Sequence, residues 1–313
     1  MDTYRTASKT TIFRTYHITE DDFLGNGIEA DVYALDEGRV LKLYQRTVHR
    51  TDLETLQSFY NALDTRAVGY SFPRIYSIET EGAFTVTTEK RLHGQPLQRV
   101  LPHLDNEHLN IVLHRYLEAT LALQRVHLAE PLNRYKLFDE YGISQATNGD
   151  WYAFLWAYVL NKLPELEPYF SKDVQQFQEK LDLIHAVLSQ PYRGTYAVIH
   201  GDFFPGNLLV DHHYHVQGIV DFGIMTMIGD PLFDIATGWV FIDMYDLLHI
   251  QLPRRYFDVV ITNLGTKIIG QLYRYVLIYS LVSANTYARD CSDGHYQWCV
   301  ANLNNSVFWN HLE

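Results

Sequence analysis

Asp202, Asn207 and Asp221 are the residues of this chain whose types and spacing could do chemistry. They lie in His200-Gly201-Asp202-Phe203-Phe204-Pro205-Gly206-Asn207 and in Ile219-Val220-Asp221-Phe222-Gly223. A carboxylate such as Asp202 can orient a hydroxyl nucleophile and take its proton as the new bond forms. Asn207, five residues later, and Asp221 beyond it offer an amide oxygen and a second carboxylate. Those are hard oxygen ligands for magnesium, whose shell nucleotide phosphates would complete. The set suits transfer of a phosphoryl group to a hydroxyl. The competing reading, a surface hairpin with incidental acids, leaves the order and linkage of the two segments unexplained.

The flanking sequence supplies elements that could position these groups. Ala197-Val198-Ile199 is a short apolar run leading into His200, as a strand delivering a loop would be. Leu208-Leu209-Val210 and residues 215–220 read as a hairpin around the polar turn Asp211-His212-His213, which would return Asp221 beside Asn207. Alternation on an exposed turn accounts for the histidines there without a metal.

The run from His200 through Gly229-Asp230-Pro231-Leu232-Phe233-Asp234-Ile235-Ala236 resembles the aminoglycoside phosphotransferase and choline kinase superfamily. Its members carry H-G-D-x-x-P-x-N, then D-F-G or D-W-x, then G-D-P-x-x-D-[IL]-A. The resemblance implies an α+β, two-lobed protein-kinase-like fold, with a small β-rich lobe and a larger, mainly helical one. It implies that Asp202 is the catalytic acid, that Asn207 and Asp221 hold Mg2+, and that His200 and Asp234 are buried supports of the loop. Residues 222–228 make the link to Gly229 one residue longer and more apolar than the family's.

Upstream, Leu24-Gly25-Asn26-Gly27 opens a glycine-bearing hairpin, and Arg39-Val40-Leu41-Lys42-Leu43-Tyr44 is an apolar strand with one lysine inside. A lysine there is costly unless its charge meets an anion. In a kinase it meets the nucleotide phosphates and a glutamate of the next helix. Gly25 and Gly27 are thus expected to cover the nucleotide and Lys42 to hold it, with Glu54 as the partner of Lys42 and Asp52 as fallback. The strand 83–89 followed by Lys90-Arg91-Leu92-His93-Gly94 resembles the family's hinge, where backbone near Lys90 and Leu92 would bond the purine. ATP is the expected co-substrate, with GTP second.

Composition sets outer bounds. The chain has 313 residues, enough for two lobes, with 47% hydrophobic and 20% charged residues, which excludes a disordered class. A net charge of −12 disfavours nucleic acid as partner and suits a cationic small-molecule acceptor. Met1-Asp2-Thr3-Tyr4-Arg5 lacks the pattern of a signal peptide, and no apolar run approaches membrane-spanning length, so a cytoplasmic protein is expected. Cys291 and Cys299, without metal spacing, read as reduced thiols.

The expected lobes are residues 1–91, for the nucleotide, and 92–313, for catalysis and acceptor. Helical patterns run from Asp105, a capping residue, through Leu123, and over 150–162, 173–188, 231–249 and 254–289. Trp151, Trp239 and Asp243 are the candidate acceptor contacts; core packing and a solvated face are the competing readings. Acids would grip an aminoglycoside-like polyamine, whereas an aromatic cage would grip a quaternary amine such as choline. A metabolic kinase for choline, homoserine or a sugar is the second expectation, and a nucleotide-binding pseudokinase the third.

Overall fold

The structure, a computed structural model, describes residues 2–26, 30–44, 48–128, 149–222 and 226–311, with side chains from residue 8 onward. Chain contacts divide it into two compact units. The first comprises Met1–Leu97, His127–Pro131 and Gly206–Asp221, and the second Gln98–Val126, Leu132–Pro205 and Phe222–Glu313. The expected division cut the chain once, after 91; the contacts instead return the hairpin after Asn207 to the first unit.

The first unit is built on a five-stranded antiparallel sheet. Its strands are β1 (Phe23–Asn26), β2 (Ala30–Ala34), β3 (Arg39–Tyr44), β4 (Ile75–Glu81) and β5 (Phe84–Lys90), in the order β1-β2-β3-β5-β4. Alternation along β3 and β5 sorts the side chains onto two faces. Leu41, Leu43, Phe84 and Val86 point to one face and join Ile12 and Ile18 in a buried cluster. Ile12 belongs to α1 (Asp2–Tyr16), a helix that the sequence reading did not expect. Its few apolar positions do not declare a face; burial against the sheet does, at about 1.5–3 kcal/mol for a fully buried aliphatic side chain. With α1 on that face, the opposite one is left to Lys42, Tyr44, Thr87 and Glu89. The helix α2 (Arg50–Ala62) follows β3 and packs against β4. Leu208–Val210 and Val216–Ile219 form the expected hairpin, closed by Asp211 Oδ1, which accepts from the N–H groups of His213 and His215.

The second unit is mainly helical, with α3 (Asn106–Ala122), α4 (Trp151–Asp173), α5 (Phe177–Leu188), α6 (Leu232–Phe241), α7 (Leu252–Leu264), α8 (Ile269–Ser283) and α9 (Gly294–Asn304). Asp105 caps α3 as expected, its Oδ1 accepting from His108 N–H at 2.8 Å. The apolar helix α8 packs against α4, α6 and α9 and forms the middle of this core. Four boundaries differ from the sequence pattern, the 173–188 helix beginning only at Phe177. The 150–162 helix runs on to Asp173 despite Pro164 and Pro168, because Leu166 and Phe170, one beyond each proline, are fully buried. The 254–289 pattern is two helices, divided at Gly265, whose φ of +82° ends α7. The 231–249 pattern stops at Phe241, after which Asp243 turns the chain. Ala197–Ile199 pairs antiparallel with Met227–Gly229, bringing the loop after Ile199 to the start of α6. Cys291 and Cys299 are free and buried. Among the described residues no helix is long and apolar enough to cross a membrane.

Candidate active site

In the first unit, strand register decides which groups meet. Lys42 stands opposite Thr87 across β3 and β5, and Glu89 lies two residues along the same face. Lys42 Nζ sits 2.9 Å from Glu89 Oε2. The other carboxylate oxygen, Oε1, accepts from Tyr44 Oη at 3.1 Å and Thr87 Oγ1 at 2.7 Å. Glu89 is buried at 4% exposure, so these donors supply the solvation it has lost. Burial works to lower the Lys42 pKa, but the charge of Glu89, then Tyr44, Tyr60 and Asp221, holds it well above the ordinary lysine value.

The expected Lys42–Glu54 pair is therefore corrected. Glu54 points outward on α2 and pairs with Arg50 at 2.7 Å, one helical turn away, and Asp52 is exposed as well. The inward face of α2 carries Leu53, Phe59 and Tyr60. Tyr60, not an acid, is the group of this helix that lies within the field of Lys42 and Glu89.

Asn207 and Asp221 flank the hairpin, and Val220 N–H donates to Asn207 O at 2.9 Å. Asn207 is buried, whereas Asp221 is exposed and left-handed at φ +59°. That conformation is one that Asp tolerates better than most side chains. Both offer hard oxygens, and among the described residues no group of three His, Cys, Asp or Glu could hold a metal. Two protein oxygens plus phosphate is a donor set that suits magnesium.

Of the hinge candidates, Lys90 N–H is committed to Arg74 O at 2.8 Å. This corrects its expected role through that amide, since the sheet continues through Lys90; Leu92 lies beyond the strand. Gly25 sits at a register shift between β1 and β2, and Gly27 and Gly223 lie outside the described residues.

The second unit holds Asp202 on a loop tied at every turn. Asp234, 1% exposed near the start of α6, accepts from His200 N–H at 2.6 Å and from Gly201 N–H at 2.7 Å. Gly201 has φ +80°, which a glycine adopts without strain. Thr226 Oγ1 donates to His200 O at 2.8 Å, and Tyr116 Oη to Phe203 O at 3.2 Å. Asp202 N–H donates to His200 Nδ1 at 3.3 Å, which makes Nδ1 the acceptor and leaves the ring proton on Nε2. The side chains of His200 and Phe203 are buried, while Asp202 is exposed and open to a substrate.

Burial pushes the Asp234 carboxyl up to about 7, against its two N–H bonds and with help from the charge of Asp202. An unfolded aspartate titrates near about 3.9. Between these values the native state holds a proton that the unfolded chain has lost. The group's contribution to stability is thus greatest below about pH 4 and declines as the pH rises to about 7. We expect the difference in Tm between the wild type and Asp234→Asn to shrink over that interval; a constant difference would contradict it.

Of the expected acceptor contacts, Trp151 and Asp243 are corrected to internal roles. Trp151 is 2% exposed; it packs on Phe154 and Phe233 and donates to Tyr275 Oη, and a Cβ at Gly229 would stand 2.7 Å from its ring. Asp243 spends both oxygens on the N–H groups of Leu247 and Leu248. Trp239 packs among Phe257, Tyr273 and Phe308. Helical spacing could not distinguish the core role of Trp151 from a pocket wall. Besides the core residue Tyr116, the aromatics whose hydroxyl pKa values are raised by burial first and also by Asp202 are Tyr279 and Tyr287. Their rings join Phe241, His295 and Trp298 in one aromatic run, with Tyr287 69% exposed. Neither tyrosine belongs to a motif, so no local signal marked them.

The first unit thus carries a lysine–carboxylate pair in an antiparallel sheet, and the second a braced loop with an exposed acid. The family model described as "Phosphotransferase enzyme family" matches residues 22–257, and the chain belongs to that family. No curated protein matches the sequence. Among solved structures it is similar to APH(2")-IIia in complex with GDP and kanamycin, with 17% identity, a TM-score of 0.60 and 97% of each chain covered. A streptomycin–ATP–APH(2")-IIa ternary complex matches at 14% identity and TM-score 0.53, covering 94% of each chain. APH(3'')-Id from Streptomyces rimosus matches at 15% and 0.54, covering 89% of this chain and 98% of its own. At these identities the likeness establishes the fold.

Proposed function

We propose that this phosphotransferase moves the γ-phosphoryl group of ATP, or of GTP, to a hydroxyl of a cationic small molecule, an aminoglycoside-like antibiotic first. The observation that carries the reading is the Asp202 loop, an exposed carboxylate on a backbone pinned by Asp234. Lys42, held by Glu89, would take the nucleotide phosphates. Asn207 and Asp221 would hold magnesium, which supplies charge neutralisation at the phosphates when bound. Asp202 would orient the acceptor hydroxyl and receive its proton. The transition state of such a transfer is loose, so positioning and charge complementarity carry most of the rate.

Support for an aminoglycoside comes from the similar structures, which hold kanamycin, gentamicin or streptomycin, and from the net charge of −12. A second reading, a kinase of a smaller amino alcohol such as choline, is favoured by the aromatic run of Tyr279, His295, Trp298 and Tyr287, of which the two tyrosines feel the charge of Asp202. Aromatic faces bind a compact organic cation through cation–π attraction. The test is nucleotide consumption, with ATP and then GTP, in the presence of kanamycin, gentamicin, streptomycin, choline, homoserine or sugar alcohols. We expect turnover with an aminoglycoside. Turnover with choline alone would select the second reading, and none with any acceptor would overturn both.

A further inference from the structure

We propose that Glu89, from the sheet, is the carboxylate that positions Lys42 for the nucleotide, and that the helix α2 takes no ionic part in the clamp. The inference rests on the phosphotransfer reading above and goes beyond it, because a kinase-type site is expected to draw this carboxylate from the helix after the lysine strand. Here α2 cannot supply one from its described acids. Glu54 is engaged with Arg50 on the exposed face, and Asp52 is exposed at the first turn. The helix offers Tyr60 to the same space instead.

Geometry gives the substitution its physical content. Lys42 and Glu89 lie on adjacent strands joined by six consecutive antiparallel residue pairs, from Arg39↔Lys90 to Tyr44↔Thr85. The spacing of their backbones is therefore set by register and cannot change without breaking the ladder. Tyr44 and Thr87 occupy the second carboxylate oxygen, which fixes the rotamer of Glu89 and leaves Oε2 for Lys42. A helix-borne glutamate would make the ion pair depend on where the helix docks. A sheet-borne one is preorganised, so the lysine is aimed before nucleotide arrives.

The test is a double-mutant cycle with Glu89→Gln, Lys42→Met and their combination, beside Glu54→Gln. Nucleotide binding is read directly with a fluorescent ADP analogue, and kcat/KM for nucleotide is read with whichever acceptor the wild type uses. Glu89→Gln should lower kcat/KM on the order of 100-fold, as loss of an electrostatic stabiliser does. Glu54→Gln should stay within about twofold, as an exposed i,i+4 pair contributes little. In the Lys42→Met background, Glu89→Gln should have no further effect, because a residue that acts through another is silent once that other is gone. A purely structural Glu89 would lower activity equally in both backgrounds, and that result would overturn the proposal. So would a Glu54→Gln loss as large as that of Glu89→Gln. Thermal melts separate a folding defect, since the cycle is read on the folded fraction. Wild-type protein that binds no nucleotide would overturn the phosphotransfer reading together with this one. Wild-type protein that binds, with an additive cycle, would overturn this one alone.

Discussion

Asp202→Asn is expected to lower phosphoryl transfer by a factor on the order of 10³ while leaving nucleotide affinity and Tm within error of the wild type. The size follows from general-base catalysis, which contributes about 10²–10⁴-fold. The selectivity follows from placement. Lys42, Glu89, Asn207 and Asp221, the groups assigned to nucleotide and metal, belong to the first unit, and Asp202 to the second. Its side chain is exposed, and the backbone N–H that it donates to His200 Nδ1 is one that asparagine retains. Single-turnover rates with saturating nucleotide, beside fluorescent-ADP titration, would check this. Unchanged turnover would remove Asp202 from the chemistry.

Asp234→Ala should show the opposite division, a large stability loss with catalysis lost as a consequence. Removing the carboxylate leaves His200 N–H and Gly201 N–H without an acceptor in a site where Asp234 itself is 1% exposed. Each unmade bond of this kind costs about 1–3 kcal/mol, so the variant should lose about 2–6 kcal/mol in urea unfolding. Asp234→Asn is expected to fall between. Its amide oxygen can accept one of the two N–H groups, but its NH2 then faces the other donor. A variant as stable as the wild type would mean that another group ties the loop down.

Much of this was legible in the sequence because it is local. The spacing of Asp202 and Asn207, the apolar run before His200 and the turn at Asp211 each depend on a few neighbouring residues, and the hairpin formed as read. Asp105 capped its helix for the same reason. The buried support from Asp234 was implied by the family motif, and the structure supplies its form as two N–H bonds to the loop. Where the reading failed, the missing information was long-range. Trp151 has the composition of a pocket wall, yet packing against Phe233 gives it a core role. Tyr279 and Tyr287, some 80 residues beyond the loop in sequence, share the field of Asp202 through helix packing that no periodicity encodes.

Residue types and spacing by themselves pointed to the reaction class that the family match supports, because an acid, an amide and a second acid follow one another in one loop and hairpin. They also marked Lys42, since a lysine inside an apolar strand needs an anion. Which anion it has was decided by the tertiary structure. Sequence proximity favoured Glu54, twelve residues away, but helical phase turned that side chain to solvent. Strand register then brought Glu89, forty-seven residues away, to 2.9 Å. A side chain's partner depends on which faces the backbone puts together, and in a sheet that is set by hydrogen-bonded pairing between strands distant in sequence.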